Sequence, residues 1–358
     1  MLVSSDLGDF GPDALDRSKL SGGWSPWRAS FEGDGAPRGC LLSDTTLVCR
    51  LHGEAGRVSL EARNADDGAF RWRYPADGTG AGTGGAEPVL DGTYAYAVSP
   101  ERDGVGVLRL SDGEPVATVG GTRGSPPRRI RVHGDRLYVA HRDGDGTLVR
   151  AFSTTGDRER LWERRVDGTD PGSMETVGDS VHLHGRAASL ALDPVTGRTL
   201  AEAGERCEPT AAGTAYVTCP SGVRDGRTLK RVPAADPAGR LLAVGRDGTL
   251  LTSGRSTQEG VEAELAARDL GTGRVRWTAP WSGRGVARVA GDKVVTADED
   301  GVRLLGLADG VGGPPSTFSG WPQRAGGKGG LPPTSGLVHG GALFVTFEDG
   351  TVLSLLLP

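Results

Sequence analysis

The sequence predicts an all-β protein that is rich in tight turns. Gly and Pro account for 81 of the 358 residues, as 59 Gly and 22 Pro. They recur every few residues, and this frequency breaks helices. Between them lie short runs in which apolar and polar residues alternate, which is the pattern of half-buried strands. We therefore expect many short strands joined by turns.

Charge and apolar content exclude two classes of protein. The net charge is -5 and the isoelectric point is about 5.8, so we expect no nucleic-acid partner. No run approaches about 18 consecutive apolar residues, so we expect no membrane insertion by this chain itself. The first 25 residues lack a basic region followed by an apolar run, so we expect no signal peptide.

One short pattern recurs eight times along the chain. A turn residue, most often Gly or Asp, is followed by a residue that is usually polar and then by apolar or alternating residues. The eight copies are Thr45–Cys49, Gly92–Tyr96, Asp135–Val139, Asp179–Leu183, Gly213–Val217, Gly239–Ala243, Asp292–Thr296 and Gly341–Val345. Their third positions run from residue 47 to residue 343 in seven steps, a mean of 42 residues. A period of about 40–45 residues with four short strands per unit predicts a β-propeller.

Each repeat unit is interpreted as a blade of four strands, A to D, from the inside outward. The recurring pattern is taken as strand B. An Asp-Gly pair often follows it, as in Asp103-Gly104, Asp145-Gly146, Asp247-Gly248, Asp300-Gly301 and Asp349-Gly350. Asp-Gly favours a type I′ hairpin, so we expect such turns to join strand B to strand C.

Eight copies predict eight four-stranded blades. The step from residue 215 to residue 241 is only 26 residues and the next is 53, so the fifth blade would be truncated or merged with the sixth, and seven blades is the alternative. The last copy ends at Pro358 without an outer strand. Residues 24–31 have an outer-strand pattern with no blade before them, so we expect them to complete the last blade and close the ring. We expect residues 1–20 to be a linker or disordered tail and residues 21–358 to be the propeller.

A second motif closes strand C. It is clearest at Ala191–Gly197, and in three units a tryptophan follows such a turn, at Trp72, Trp162 and Trp277. This arrangement resembles the PQQ-like β-propeller repeat. Because 37 of the 41 basic residues are arginine, the composition also resembles that of actinobacterial proteins. The resemblance implies a non-catalytic extracytoplasmic propeller, such as the sensor region of a Ser/Thr kinase, and the tryptophans are interpreted as packing groups between blades.

The quinoprotein dehydrogenases of that family hold PQQ and Ca²⁺ with adjacent cysteines and with carboxylate and amide side chains. This chain has no Cys-Cys pair and a single asparagine, Asn64. We therefore expect neither PQQ nor Ca²⁺ and no other cofactor. No nucleophile elbow, P-loop or zinc-binding His-Glu-x-x-His motif occurs, so we expect no enzymatic activity.

The four cysteines form two close pairs, Cys40 with Cys49 and Cys207 with Cys219. Each pair brackets the predicted hairpin between strands A and B, of blades one and five. Residues that flank a short hairpin can lie close enough for a disulfide, which predicts two bonds; four reduced cysteines are the alternative. Disulfides predict an oxidising compartment. We therefore expect an extracytoplasmic region whose membrane anchor lies upstream of this chain.

Histidine and arginine supply the candidate functional residues. His182 and His184 face the same side of one strand, but a third metal ligand is lacking, so we expect no metal site and interpret them as surface or satisfied histidines. Five arginines flank the ends of predicted B strands or the B-to-C turns: Arg50, Arg102, Arg142, Arg186 and Arg246. These turns would all lie on one face, where the arginines could bind an acidic ligand. The alternative is that the charges belong to ordinary turn chemistry.

The leading hypothesis is a ligand- or protein-binding propeller that acts as an extracytoplasmic sensor or interaction domain of a membrane-anchored signalling protein. Its partner would be an extracytoplasmic ligand, which could be a peptide, a glycan or a protein. The alternative is a secreted lyase or hydrolase with its site on one loop face. A scaffold for envelope assembly is a third option. Convergent His and carboxylate groups at the loop face would favour the enzyme.

Overall fold

The structure is a computed structural model of the 358-residue chain. It describes residues 2–4, 13–31, 36–43, 45–53, 58–75, 86–101, 103–122, 124–185, 187–209, 215–232, 240–245, 247–255, 263–324 and 329–358. Strands are numbered in chain order, and all the pairings between named strands are antiparallel.

Four sheets occupy the first part of the chain. The first consists of β1 (Leu2–Ser4), β3 (Ala36–Ser43), β4 (Thr46–His52), β5 (Val58–Asn64) and β6 (Phe70–Pro75), in that spatial order. The second consists of β7 (Val89–Leu90), β8 (Tyr94–Val98), β9 (Val105–Arg109) and β10 (Pro115–Val119). The third consists of β11 (Arg129–His133), β12 (Arg136–Asp143), β13 (Gly146–Ser153) and β14 (Arg160–Val166). The fourth consists of β15 (Glu175–Val177), β16 (Ser180–His184), β17 (Ser189–Leu192) and β18 (Thr199–Ala203).

Four more sheets follow. The fifth consists of β19 (Glu208–Pro209), β20 (Tyr216–Cys219) and β21 (Gly222–Asp225). The sixth consists of β22 (Arg240–Val244), β23 (Thr249–Arg255), β24 (Ala263–Asp269) and β25 (Val275–Trp281). The seventh consists of β26 (Val286–Ala290), β27 (Lys293–Asp298) and β28 (Gly301–Gly306). The eighth consists of β29 (Ser335–His339), β30 (Ala342–Thr346), β31 (Thr351–Leu356) and β2 (Trp27–Ser30). Two short 3-10 helices are described, Arg17–Lys19 and Pro171–Ser173.

Neighbouring sheets pack through the strands that occupy position A. In the first sheet this strand is β3, and β1 pairs with its inner edge. Strand β3 contacts β7, β7 contacts β11 and β11 contacts β15, and near the end of the chain β22, β26 and β29 continue the series. Strand β29 contacts β3, and one apolar cluster joins Leu42 and Leu47 of the first sheet to Val338 and Leu343 of the last. This all-β arrangement of successive antiparallel sheets is that of a β-propeller. The number of blades stays a prediction, because the fifth and seventh sheets have three strands rather than four within the described residues.

The first and last strands of the propeller pair as the sequence predicts. Strand β2 lies on the outer side of β31, with Trp27 opposite Ser354 and Ser30 opposite Thr351. Residues 13–20, inside the predicted tail, also contact the last sheet. Gly341 N donates to Ala14 O at 2.8 Å, and Arg17 Nη2 donates to Leu357 O at 2.9 Å. This segment is therefore packed against the propeller rather than separate from it.

The sixth repeat copy is not a B strand. Residues 240–244 form β22, the innermost strand of the sixth sheet, and β23 occupies position B. The same sequence pattern occurs again at the start of β23, as Gly248-Thr249-Leu250. Counted from Leu250, the irregular steps become 35 residues from position 215 and 44 residues to position 294. Among the described residues the fifth and sixth sheets are separate. Asp247-Gly248 joins strands A and B of the sixth sheet rather than strands B and C.

The Asp-Gly turns are not of type I′, which needs positive φ at both central residues. Among the described residues other than glycine, only Arg158 and Leu229 have positive φ, so no aspartate of these turns does. In two of these turns the aspartate carboxylate accepts a hydrogen bond from the backbone N–H two residues further on. Asp247 Oδ1 accepts from Thr249 N and Asp349 Oδ1 from Thr351 N, both at 2.9 Å. The prediction of a hairpin is confirmed at these positions, but its turn type is wrong.

Tryptophans of the outer strands fasten one sheet to the next. Trp72 on β6 donates from Nε1 to Leu110 O at 2.8 Å and covers Gly113, where a Cβ atom would lie 2.6 Å from the indole. Equivalent contacts join Trp27 to Ala65 and Gly68, Trp162 to Pro194 and Gly197, and Trp277 to Leu307 and Gly310. The predicted packing role of the outer-strand tryptophans is confirmed.

Both predicted disulfides are present. Cys40 and Cys49 face each other across β3 and β4, and Cys207 is bonded to Cys219 on β20. Because disulfides persist in oxidising compartments, the two bonds indicate a non-cytoplasmic location. In the part of the chain that the structure describes, no helix has the length and apolar character needed to cross a membrane.

A buried ion network joins the innermost strands of the third and fourth sheets. Glu175 on β15 accepts from Arg131 on β11, at 2.6 Å from Nη2, and it also pairs with Arg129. Glu87, which precedes β7, contacts Arg129 at 3.0 Å and is the more exposed carboxylate. Burial raises the pKa of Glu175, but the two guanidinium groups outweigh it and hold that pKa below its ordinary value. The network therefore fixes neighbouring sheets to each other beside the ring axis.

Candidate ligand-binding site

A cavity of about 800 Å³ lies between the third and fourth sheets. Its walls come from four segments: the β12–β13 turn (Arg142, Asp145), the connection from β14 to β15 (residues 166–170), the described residues of the β16–β17 turn (His184, Gly185, Ala187, Ala188), and the β18 end of the fourth sheet (Glu202, Arg206). All these segments are B-to-C or D-to-A connections, so the cavity opens on the face that the sequence predicts for a ligand. We call it the inter-blade cavity.

The backbone around the inter-blade cavity is fixed by side-chain hydrogen bonds. The Ser173 hydroxyl accepts a hydrogen bond from His184 N at 2.9 Å and donates one to His184 O at 2.7 Å. Thr147 Oγ1 donates to Thr169 O at 3.1 Å. Gly185 packs against the same connection so closely that a Cβ atom would lie 2.2 Å from Gly168 O, which only glycine allows. The D-to-A connection is therefore held against both turns, and the cavity is preformed.

His184 is a buried polar side chain on the cavity wall, with 8% of its surface exposed. Within the described part of the chain its imidazole makes no hydrogen bond, although both its backbone groups do. Burial lowers the pKa of His184, and the positive charge of Arg206 lowers it further. The ring is therefore neutral at pH 7 and offers one donor and one acceptor to a ligand.

The cavity wall carries charges of both signs. Arg142 is half exposed, and its guanidinium lies 3.8 Å from Asp170. Arg206 contacts Glu208, outside the wall, at 3.4 Å. Glu202 has no ion pair or hydrogen bond among the described residues. The guanidinium of Arg142 and the carboxylate of Glu202 therefore both face the cavity and can form further hydrogen bonds with a ligand.

Arg165 pairs with carboxylates in another part of the acidic wall. Its guanidinium lies 3.3 Å from Asp143, 3.4 Å from Asp145 and 3.1 Å from Asp167. The remaining wall is apolar and includes Val166 and Leu190. The cavity thus combines two charged regions with an apolar surface, which is the usual composition of a small-ligand site.

The structure places two of the five predicted arginines. Arg142 lines the inter-blade cavity, whereas Arg50 lies on β4 of the first sheet and is not part of that wall. Arg102, Arg186 and Arg246 lie outside the described residues. The turn beside residue 246 joins strands A and B, so the expectation that it shares a face with the β12–β13 turn is wrong.

The histidine pair is divided between two roles. His182 is buried, and its Nε2 contacts Gly226 O, so this ring is satisfied as expected. Among the described residues, one group has a spacing that could hold a metal: Glu205, Cys207 and Cys219. Its two sulfurs are bonded to each other, so they are not available as ligands. Glu205 is itself paired with Arg224 and Ser221.

Sequence reasoning missed the two residues that distinguish this cavity, Glu202 and Arg206. Neither belongs to a recurring motif, because both lie at the end of an outer strand where the repeat has no fixed residue. His184 at the end of a B strand, followed by Gly185, was the available signal. The sequence alone does not show that the connection from β14 to β15 packs against His184, and this packing forms the cavity.

Comparisons with known proteins agree with this fold. No protein-family model and no curated protein matches the chain. Among solved structures, the quinohemoprotein alcohol dehydrogenase from Comamonas testosteroni is similar, with 12% identity and a TM-score of 0.53, over 98% of this chain and 78% of that one. BamB from Moraxella catarrhalis aligns over 91% of this chain and 97% of its own, with 16% identity and a TM-score of 0.36.

The expectation that this chain holds neither PQQ nor Ca²⁺ stays a prediction, and the chemistry of the described residues is consistent with it. All four cysteines are bonded in separate disulfides, so no vicinal pair is available. Calcium takes six to eight oxygen ligands, and no cluster of carboxylates at metal-binding distance occurs among the described residues. At 12% identity, the similarity to the dehydrogenase concerns the β-propeller fold alone.

Proposed function

We propose that this chain is a non-catalytic binding domain that works outside the cytoplasm and holds its ligand in the inter-blade cavity. The observation that carries the proposal is a preformed cavity whose wall combines an apolar surface, a neutral imidazole and charged groups with few partners. A rigid site of this kind binds at low entropic cost, because little has to be ordered when the ligand arrives. The disulfides support the location.

The finer role that we propose is that of a sensor or interaction domain in a membrane-anchored signalling protein. It is supported by the disulfides and by the resemblance of the repeat to PQQ-like propellers. The propeller also supplies a rigid loop face, which suits recognition better than chemistry that requires a closing lid.

A panel of soluble probes tests the binding proposal. Tetrapeptides, chito-oligosaccharides and small di- and tricarboxylates are titrated into the protein by calorimetry. We expect at least one class to bind the wild type and to lose binding in Ala187→Trp, which places an indole at the exposed rim of the cavity. Arg274→Ala, beside a C-to-D turn on the opposite face, is the control and should bind normally. Absence of binding, or equal binding in Ala187→Trp, would overturn the proposal.

A secreted lyase or hydrolase is the second candidate, because His184 shares the cavity with the carboxylate of Glu202. A catalytic histidine is normally oriented by a third group, and the imidazole of His184 has no carboxylate partner among the described residues. The same panel separates the two functions. Chromatography that detects product from any probe, lost in His184→Gln, would favour the enzyme.

A further inference from the structure

We propose that the ligand of the inter-blade cavity is a short peptide with both ends free, whose carboxylate is bound by Arg142 and Arg206 and whose amino group is bound by Glu202. This inference rests on the proposed function, which it refines by naming the ligand class. It also revises the expected acidic ligand, since the described wall carries four carboxylates and two guanidinium groups.

The charges of the wall favour a ligand that carries both signs. Arg165 contacts Asp145 and Asp167 and offsets part of their negative charge, so they are less available to a ligand than an unpaired carboxylate is. Arg142 has one distant partner, and Glu202 has none among the described residues. A purely anionic ligand would give Glu202 no positive partner. A purely cationic ligand would give Arg142 and Arg206 no negative partner. A ligand with both groups satisfies both regions.

The uncharged part of the wall suits the body of a peptide. The imidazole of His184 is neutral and unpartnered among the described residues, so it can donate to a peptide carbonyl or accept from a peptide N–H. Val166, Ala188 and Leu190 provide an apolar surface for small side chains. A volume of about 800 Å³ lies in the range that encloses a ligand of a few residues.

The test uses tetra-alanine with free ends, its N-acetyl form and its C-terminal amide. Each is titrated into the intact protein by calorimetry at low salt. We expect free tetra-alanine to bind, and we expect each blocked form to bind about tenfold more weakly, because each loses one charge-assisted contact.

Variants of the protein assign each end of the peptide to its residue. In Arg142→Ala, which keeps Arg206, amidation of the carboxylate should weaken binding less than it does in the wild type, while acetylation should weaken binding as much as it does in the wild type. In Glu202→Gln, the reverse should hold. Glu114→Gln and Arg274→Ala lie beside C-to-D turns on the opposite face, and both should behave as the wild type. Retained circular dichroism and melting temperature confirm that each variant is folded.

Two results would overturn the inference. One is equal binding of the free and blocked peptides; the other is sensitivity to blocking that Arg142→Ala and Glu202→Gln leave unchanged. If no tetra-alanine form binds while an oligosaccharide binds in a manner that Ala187→Trp abolishes, the peptide inference fails and the proposed function stands. If Ala187→Trp alters the binding of no probe class, the proposed function fails as well.

Discussion

The burial of His182 should make the propeller lose stability in mild acid. This side chain is 2% exposed and its Nε2 contacts Gly226 O. Burial lowers the pKa of His182 from 6.5 to about 4, and the neighbouring His184 acts in the same direction. The hydrogen bond to Gly226 and the carboxylate of Asp225 oppose the shift without cancelling it. The folded protein therefore resists protonation that the unfolded chain accepts.

The sign and size follow from the two pKa values. The unfolded chain binds the proton near pH 6.5 and the folded chain near pH 4, so the stability is fully present above pH 6.5 and falls as the pH approaches 4. Below about pH 4, protonation of His182 causes no further loss of stability. Between about pH 7 and about pH 4.5 the loss is about 2.4 kcal/mol, from about 1.36 kcal/mol per pKa unit.

The variant His182→Gln isolates this contribution. Glutamine keeps an N–H donor for Gly226 O but takes up no proton in this range. Urea unfolding followed by tryptophan fluorescence gives the free energy of unfolding at about pH 7 and about pH 4.5. We expect the loss between the two pH values to be about 2 kcal/mol smaller in the variant than in the wild type.

His133→Gln is the matched control, because His133 is 41% exposed and contacts Asp179 at 3.8 Å. This variant should lose as much stability in acid as the wild type. His141 and His184 are also buried and have lowered pKa values, so part of the acid loss should persist in every variant. The same acid loss in His182→Gln and in the wild type would refute the reasoning.

Three further predictions concern what holds the ring together. Gly113→Ala should lower the free energy of unfolding by about 1–2 kcal/mol more than Gly156→Ala does, because both glycines have positive φ but only Gly113 lies beneath an indole. Urea unfolding measures the difference, and equal losses in the two variants would contradict the prediction. Glu175→Gln should cost about 1–3 kcal/mol by the same assay, because it removes the carboxylate that Arg129 and Arg131 share and leaves them only the more exposed Glu87. Glu87→Gln should cost under 1 kcal/mol. Deletion of residues 1–31 removes strand β2, so it should lower the melting temperature and promote association through the exposed edge; a monomer that melts like the full chain would contradict the ring closure.

The fold was predictable because its information is local and repeated. Each hairpin is specified by an alternating pattern and a turn, and the outer-strand pattern at residues 24–31 had no partner except the incomplete last unit. The sixth unit shows the limit of this reasoning. Its A and B strands, β22 and β23, both follow a glycine and both have buried apolar residues, so the pattern alone did not distinguish them. Only the pairing partners, Ala267 and then Trp277 beyond it, identify β23 as strand B.

The candidate site was predictable only as a face of the ring. Arginines near B-to-C turns indicated the correct side of the molecule for Arg142. The wall residues themselves come from sheet connections that long-range contacts bring together. The Ser173 hydroxyl holds the connection from β14 to β15 against His184, and Thr147 Oγ1 donates to Thr169 O in the same connection. These contacts join residues that belong to no recognisable motif. The cavity that they form, with Glu202 at one side, therefore has no signature in the sequence.

The position of the cavity follows from how the third and fourth sheets are joined. Trp162 fastens them at the C-to-D end, where its indole covers Gly197, and the Glu175 network fastens them at the inner strands. Adjacent blades diverge away from such fixed points, so the B-to-C end of the same junction is left open. The two fastenings hold the third and fourth sheets against each other on either side of that opening. A ligand would therefore enter a space whose shape the fold has already fixed, and recognition depends on the few side chains that face it rather than on movement of the blades.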